Sequence, residues 1–223
     1  MNVRKVSDNA VRRLPRYIHQ LDTLHQAGIN TVQSKELAQR LGITSSQVRQ
    51  DLSYFGRCGL QGSGYPVDEL RRELAVALGM NRNYTAILVG FGQVGLSLAQ
   101  QFPFAECCVE LICAFDSKPP TEAVPDLPIL PIQELKTYLQ EHHADIAILT
   151  VPGEAAGEIA KLLECSGINA IWNFTGVELS SQTSSLIVET INFADSLLCL
   201  GYHLTQRWES PVDRNSELLQ YAG

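Results

Sequence analysis

In the first third of the chain, apolar residues recur every three or four positions. Val11, Leu14, Ile18, Leu21 and Leu24 form one stripe within residues 8–27, which predicts a first helix. Pro15 fits its first turn or marks a late start. Residues 34–41 predict a short helix that Ser34 could cap and Gly42 closes. Residues 44–55 predict a third, capped by Thr44 or Ser45, with Val48, Leu52 and Phe55 on its inner face. Residues 68–78 predict a fourth, with its acids in the first turn, as the helix dipole favours. Beyond residue 83 the rhythm changes. Continuous apolar runs predict buried strands at 86–89, 109–115, 145–151, 170–174 and 186–191, with a short one at Ile129. Helical patterns follow residues 90–95 and occupy 132–142 and 153–165. Such alternation defines a doubly wound parallel sheet. A last helix, 193–208, carries Leu197, Leu198, Leu200 and Leu204 and needs a partner surface, on its own domain or on another subunit.

The pattern divides the chain. Residues 1–80 form a small helical domain, 84–192 an α/β domain, 193–208 a separate helix and 209–223 a polar tail. In the first domain, two short helices meet at a glycine turn, and the second is rich in Gln, Ser and Arg. This is the helix-turn-helix pattern. Gln47, Arg49 and Gln50 can read base edges; Ser45, Ser53 and Tyr54 can hold phosphates. Residues 56–65 carry four glycines, with Arg57 at the start, and predict a hairpin: the wing of a winged helix, whose tip around Gly62 could lie against a minor groove. An ordinary three-helix bundle with a polar surface is the plain alternative.

The second domain opens on Gly90-Phe91-Gly92-Gln93-Val94-Gly95, a G-x-G-x-x-G between a predicted strand and a predicted helix. Gly90 permits the tight turn, Gly92 lets a pyrophosphate approach the backbone, and Gly95 lets helix and strand pack closely. The helix start then offers free N–H groups to phosphates. Asp116 ends the next strand, where an acid can take the adenosine ribose hydroxyls and repel a 2′-phosphate; this favours NAD(H), and the nearby Lys118 weakens the exclusion. Thr150, Val151 and Pro152, and then Asn173, Phe174 and Thr175, lie at further strand ends, where such sheets bind ligands.

Charge supports the division. Residues 1–82 hold 12 Lys/Arg against 7 Asp/Glu, net +5; the remainder holds 5 against 17, net −12, for −7 over 223 residues. Only the first domain suits a polyanion. The N-terminus is charged without an apolar run, and no stretch is long enough to span a bilayer, so a cytoplasmic protein is expected. Six cysteines (Cys58, Cys107, Cys108, Cys113, Cys165, Cys199) lack metal-ligand spacing and are expected to be reduced and mostly buried. A thiol regulator built on Cys107, Cys108 and Cys113 is a competing reading that burial of these residues would weaken. A dehydrogenase is another, but no His, Lys or Tyr stands in a recognisable catalytic arrangement. No metal site is expected.

Several stretches together carry a family resemblance: RLPRY (Arg13–Tyr17), VRQDLSYFG (Val48–Gly56), GSGYPV (Gly62–Val67), GFGQVG, Phe115-Asp116, Thr150–Pro152, Asn173–Thr175 and VETINF. Over residues 8–208 the chain resembles the Rex family of redox-sensing transcriptional repressors. The resemblance implies a homodimer with a terminal helix exchanged between subunits. It implies binding to double-stranded operator DNA when NAD⁺ prevails, and release as NADH accumulates. Arg49, Gln50, Ser53 and Tyr54 would face the operator, with Arg13, Arg16 and Arg57 on backbone or minor groove. The glycine loop, Asp116, Thr150 to Pro152 and Asn173 to Thr175 would surround NAD(H), and Phe193 would approach a nicotinamide of the partner subunit. The chain departs from the family where Gln50 replaces a usual Lys, Gln93 an Arg and Asn192 an Asp, with Gln101 near a family Tyr. Charged switch elements are thus replaced by amides, and a neutral hydrogen bond has about half the strength of a charge-assisted one.

Overall fold

A computed structural model describes residues 6–55, 64–119, 127–179 and 186–209. The chain divides into two compact units, Met1–Asn83 and Tyr84–Gly223.

The first unit is helical. Helix α1 spans Asp8–Val11 and is capped by the Ser7 hydroxyl. Helix α2 spans Leu14–Gln26, with Pro15 in its first turn. The single helix expected over 8–27 is therefore two. The Pro15 ring would strike the carbonyl of Val11, and proline has no N–H to give it, so the helix breaks at Arg12-Arg13. Strand β1 (Thr31–Val32) leads to helix α3 (Ser34–Leu41), which ends at Gly42 in the left-handed region, φ 68°. The residue before α3 is Gln33, so Ser34 is helical rather than a cap. Helix α4 spans Ser45–Leu52; the Thr44 hydroxyl accepts from the Gln47 N–H at 3.1 Å, and the helix ends before Tyr54 and Phe55.

Strand β2 (Tyr65–Pro66) pairs antiparallel with β1, Val32 opposite Tyr65, and helix α5 spans Val67–Ala77. Most of the expected wing, including Arg57, Gly62 and Cys58, lies outside the described residues. Its last residue, Tyr65, pairs back to the segment before α3. Leu14, Tyr17, Leu21, Leu37, Val48, Leu52, Leu70 and Leu74 form the core of this unit; of the stripe expected over 8–27, Val11 lies exposed outside it, because it precedes the break, and Tyr17 joins it.

The second unit is a six-stranded parallel sheet. Its strands are β3 (Tyr84–Val89), β4 (Val109–Asp116), β5 (Ile129–Pro131), β6 (Ile146–Leu149), β7 (Ala170–Asn173) and β8 (Ile187–Thr190), in the order β5-β4-β3-β6-β7-β8. Helix α6 (Gln93–Gln101) connects β3 to β4, α7 (Leu135–Glu141) connects β5 to β6, and α8 (Gly153–Cys165) connects β6 to β7. The 132–142 helix begins as a 3₁₀ turn at Ile132–Glu134, so its α-helical part is shorter than expected. Strands β6, β7 and β8 end a residue or two inside their apolar runs, whereas β3 starts two residues earlier, at Tyr84, and β4 runs one residue further, to Asp116. One face of the sheet packs on α7 and α8 through Ile87, Val89, Leu135, Ala156 and Leu163. The other packs on α6 through Ala86, Leu88, Leu96 and Ile148. Helix α9 spans Phe193–Glu209 and exposes its apolar side chains, Leu197 at 69% and Trp208 at 70%.

The cysteines correct an expectation. Cys107, Cys165 and Cys199 are exposed, and Cys108 is half-buried in a left-handed turn at φ 56°. Among the described residues only Cys113 is buried, its thiol pushed up to about 11 by burial. Cys107 and Cys108 precede β4 rather than lie in it, so they escape the core that the neighbouring apolar run led one to expect.

Candidate functional site

Two sites can be built from these elements, one in each unit. In the first, the inner face of α4 carries an acid. Asp51 stands one turn from Val48 and is 1% exposed. The Arg13 Nε donates to its Oδ2 and the Arg13 Nη2 to its Oδ1, both at 2.7 Å. The Tyr17 hydroxyl donates at 3.1 Å and the Gln47 Nε2 at 2.8 Å. Burial pushes the Asp51 carboxyl up, but these donors outweigh it and hold its pKa below the ordinary value. Burial, with Asp51 beside it, raises the Tyr17 hydroxyl. The clamp fixes the last turn of α4 against the first turn of α2.

Arg13 and Gln47, expected at the DNA, spend these donors inside the domain. Arg16 reaches the Leu41 carbonyl at the end of α3. Arg49 and Gln50 lie exposed on α4 and Ser53 just past its end, with Arg49 Nη1 donating to the Ser34 hydroxyl at 3.3 Å and the Ser53 hydroxyl donating to the Gln50 carbonyl at 2.7 Å. Ser45 and Tyr54 are half-buried, and the Tyr54 ring packs edge-on against Phe55. Asp51 escaped the sequence reading, although an acid three residues after Val48 on an inward face was a visible signal.

The second site lies on the carboxyl edge of the parallel sheet. Val89 pairs with Phe115 on one side and Leu149 on the other, and Leu149 pairs with Asn173. Gly90, Asp116, Thr150 and Phe174 therefore share one edge, centred on β3, where the strand order reverses direction. The three glycines differ. Gly90 has φ +97°, and a Cβ there would come within 2.8 Å of the Thr150 carbonyl. A Cβ on Gly95 would fall 2.2 Å from the Gly90 carbonyl oxygen. A Cβ on Gly92 would meet nothing within 4 Å. Two glycines thus serve the packing, and the middle one leaves open backbone at the start of α6, where no side chain caps the helix. That is the cradle a pyrophosphate requires.

Asp116 shapes the same loop. Its Oδ2 accepts from the Phe91 N–H at 2.6 Å and its Oδ1 from the Lys118 N–H at 2.7 Å. A carboxylate has further lone pairs for a ribose diol. The Thr150 hydroxyl donates to the Gly90 carbonyl at 2.6 Å, and the buried Phe91 ring anchors the loop from below. Val151 is half-buried and Pro152 exposed at the start of α8.

Beside the loop, a groove of about 470 Å³ is lined by Gln93, Val94, Ser97, Gln101, Phe174 and Phe193 among others, within the range of small-molecule sites. Asn192 caps α9: its Oδ1 accepts from the Ala194 N–H and its Nδ2 donates to Asp195 Oδ1, both at 3.0 Å. No histidine lines this groove. Among the described residues no group of His, Cys, Asp and Glu could hold a metal ion, and no helix is long and apolar enough to cross a membrane.

A helix-turn-helix unit followed by a Rossmann-type sheet with an open glycine loop defines a two-domain protein of DNA-binding class carrying a nucleotide-type ligand domain. Comparisons agree with that division. Residues 5–53 match the family described as "Putative DNA-binding protein N-terminus", and residues 81–177 match the "CoA binding domain" family. The chain is 38% identical over 206 residues to the redox-sensing transcriptional repressor Rex of Caldicellulosiruptor saccharolyticus, covering 92% of this chain and 94% of that one. It is 36% identical to the Rex of Clostridium botulinum over 199 residues, 88% and 94% of the two chains. Among solved structures, it is similar to RSP in complex with β-NAD⁺ and operator DNA, at TM-score 0.84 and 33% identity over 91% of this chain and 94% of that one. The complex of RSP with β-NADH matches at TM-score 0.81 and 32% identity, over 91% and 95%. The chain belongs to the Rex family of redox-sensing transcriptional repressors.

Proposed function

We propose that this protein is a homodimeric repressor that binds operator DNA through α4 and releases it when NADH occupies the glycine-loop groove. The observation that carries the reading is the contrast among the loop glycines, open at Gly92 and closed at Gly90 and Gly95, with the Asp116 carboxylate on the same edge. Arg16, Arg49, Gln50 and Ser53 would meet the operator, with Ser45, Tyr54, Arg57 and Gly62 as further candidates. Arg13 and Gln47 would act from behind, by holding α4. NAD(H) would be held by residues Gly90 to Gly95, Asp116, Lys118, Thr150 to Pro152, Asn173 to Thr175, Asn192 and Phe193. The ligand acts as an effector, and no catalytic residue is assigned. The reading places the protein in the cytoplasm, where the nucleotide pool meets the operator.

The dimer is supported by α9 and by a bare part of the sheet. No described helix connects β7 to β8, and Ile146, Ile148 and Trp172 line an apolar groove of about 310 Å³ on the face that carries α6. A helix with exposed Leu197, Leu198, Leu200 and Trp208 fits exchange between subunits. Coupling between ligand and operator follows from linkage: NADH must favour one dimer arrangement over the other, with a coupling of about 1–3 kcal/mol being ordinary. Two observations favour a second reading, a weaker response. The Asn192 amide is engaged in capping α9, and Gln93 and Gln101 meet the groove without charge.

Titration of a selected palindromic operator, alone and with NADH, NAD⁺ or coenzyme A, tests both. Release by NADH alone supports the sensor. Tight DNA binding indifferent to NADH and NAD⁺ supports the weakened switch, and release by coenzyme A alone would overturn the NAD(H) assignment.

A further inference from the structure

Asn173 ends β7 and has no exposed surface. Its amide is nonetheless fully bonded. Nδ2 donates to the Val177 carbonyl at 2.7 Å and to the Thr190 hydroxyl at 3.2 Å. Oδ1 accepts from the Thr175 N–H at 3.0 Å and from the Thr175 hydroxyl at 2.7 Å. Two donors and two lone pairs are all an asparagine amide has. The partners belong to two different segments. Thr175 and Val177 form the turn after β7, on the carboxyl edge beside the groove. Thr190 is the last residue of β8, two before Asn192, whose side chain caps α9. A second contact runs alongside: the Phe174 ring packs on Trp172 at 4.6 Å and meets Phe193, the first residue of α9, at 6.2 Å.

One buried side chain therefore joins the loop at the groove to the strand end that launches α9. In a buried network, a partner that shifts must carry the others with it or leave a polar group unsatisfied. We propose that Asn173 is a positioning residue that transmits occupancy of the dinucleotide groove, through Thr190, to the first turn of α9. A ligand seated against Phe174 and Thr175 sets the position of that turn. The Asn173 amide makes the end of β8 follow it. Both the bond donors and the acceptors lie within this chain, so the relay operates inside each subunit. The inference rests on the reading of the groove as the NAD(H) site.

The test uses the full-length protein and NADH. Thr190→Val keeps the side-chain shape, removes the acceptor and leaves Nδ2 bonded to Val177. Calorimetry gives the NADH affinity. Hydrogen exchange at residues 192–197, with and without NADH, gives the transmitted effect. NADH is expected to change exchange in the parent. Thr190→Val should bind NADH within about threefold of the parent, yet reduce the NADH-dependent change at least about threefold, the scale of one net hydrogen bond. Thr190→Ser, which keeps the hydroxyl, should restore it. A Thr190→Val protein that transmits as fully as the parent overturns the relay, as does NADH binding that leaves α9 exchange unmoved. If NADH does not bind the parent, the groove assignment falls and the relay falls with it. Transmission that survives while operator release is absent keeps the relay and refutes the sensor.

Discussion

Removing Arg13 tests whether this residue serves the fold or the DNA. In Arg13→Ala, Asp51, 1% exposed in the parent, keeps only Tyr17 and Gln47 as donors. Breaking a buried pair from one side costs about 3–5 kcal/mol. The two remaining hydrogen bonds and the 24% exposure of Arg13 put this case near the low end, about 3 kcal/mol. Protonation sets a ceiling: neutralising a carboxyl of ordinary pKa 3.8 at pH 7 costs about 4 kcal/mol.

The sign of the pH dependence follows. In the parent, the Asp51 pKa is depressed, so its contribution is complete above the ordinary value and is lost as pH falls through the lower folded value. In the variant, burial is less opposed and the pKa rises. Asp51 then takes up a proton on acidification, and the deficit relative to the parent narrows toward low pH. At pH 7, hydrogen exchange at the α4 amides should lose roughly two orders of magnitude of protection. The melting transition of the N-terminal unit should fall by about 12–24 °C, at about 4–8 °C per kcal/mol for a domain this size. Adding Asp51→Asn should recover part of the loss, because no charge is then buried. The opposite result is clear. If Arg13→Ala keeps parental protection in α4 and instead lowers the salt dependence of operator binding by about one phosphate contact, Arg13 grips DNA and the clamp is not what holds α4.

Two further outcomes are expected. Gly92→Ala should melt like the parent, since its Cβ meets nothing within 4 Å, but lose at least about tenfold in NADH affinity by calorimetry, because the methyl occupies the approach of the pyrophosphate. Parental affinity in that variant would remove the loop from the site. Asn192→Asp would set a carboxylate against Asp195, where the amide now donates at 3.0 Å; it should loosen the first turn of α9 at pH 7 and regain order on acidification, read by hydrogen exchange. Tighter, pH-independent protection would show that the cap does not depend on this donor.

How much of this was legible follows from range along the chain. The strands at β3 and β6 and the helix α8 are visible because each is a continuous local pattern, although β6 stops at Leu149, before the Pro152 that its apolar run points to. The glycine loop was legible for the same reason, six adjacent residues between two elements. The break at Arg12-Arg13 depends on Pro15 meeting a carbonyl one turn back, a local clash whose position spacing alone did not settle. The Asp51 clamp was hidden because its strongest partner lies 38 residues away. Arginine and glutamine on a helix-turn-helix read naturally as DNA ligands, and only the packing of α2 on α4 turns two of them inward. Asn173 reads from the sequence as a strand-end residue at a ligand edge, but its tie to Thr190 depends on β8 lying beside β7, which is a matter of sheet order.

The clamp has an evolutionary consequence. Because Asp51, Arg13, Tyr17 and Gln47 fix α4 from its inward side, the exposed Arg49, Gln50 and Ser53 are not needed to hold the helix in place. Those positions can change one at a time without passing through an unfolded ancestor. On the proposed reading of α4 as the operator contact, that exposed face can be retuned while the clamp behind it and the effector domain stay as they are.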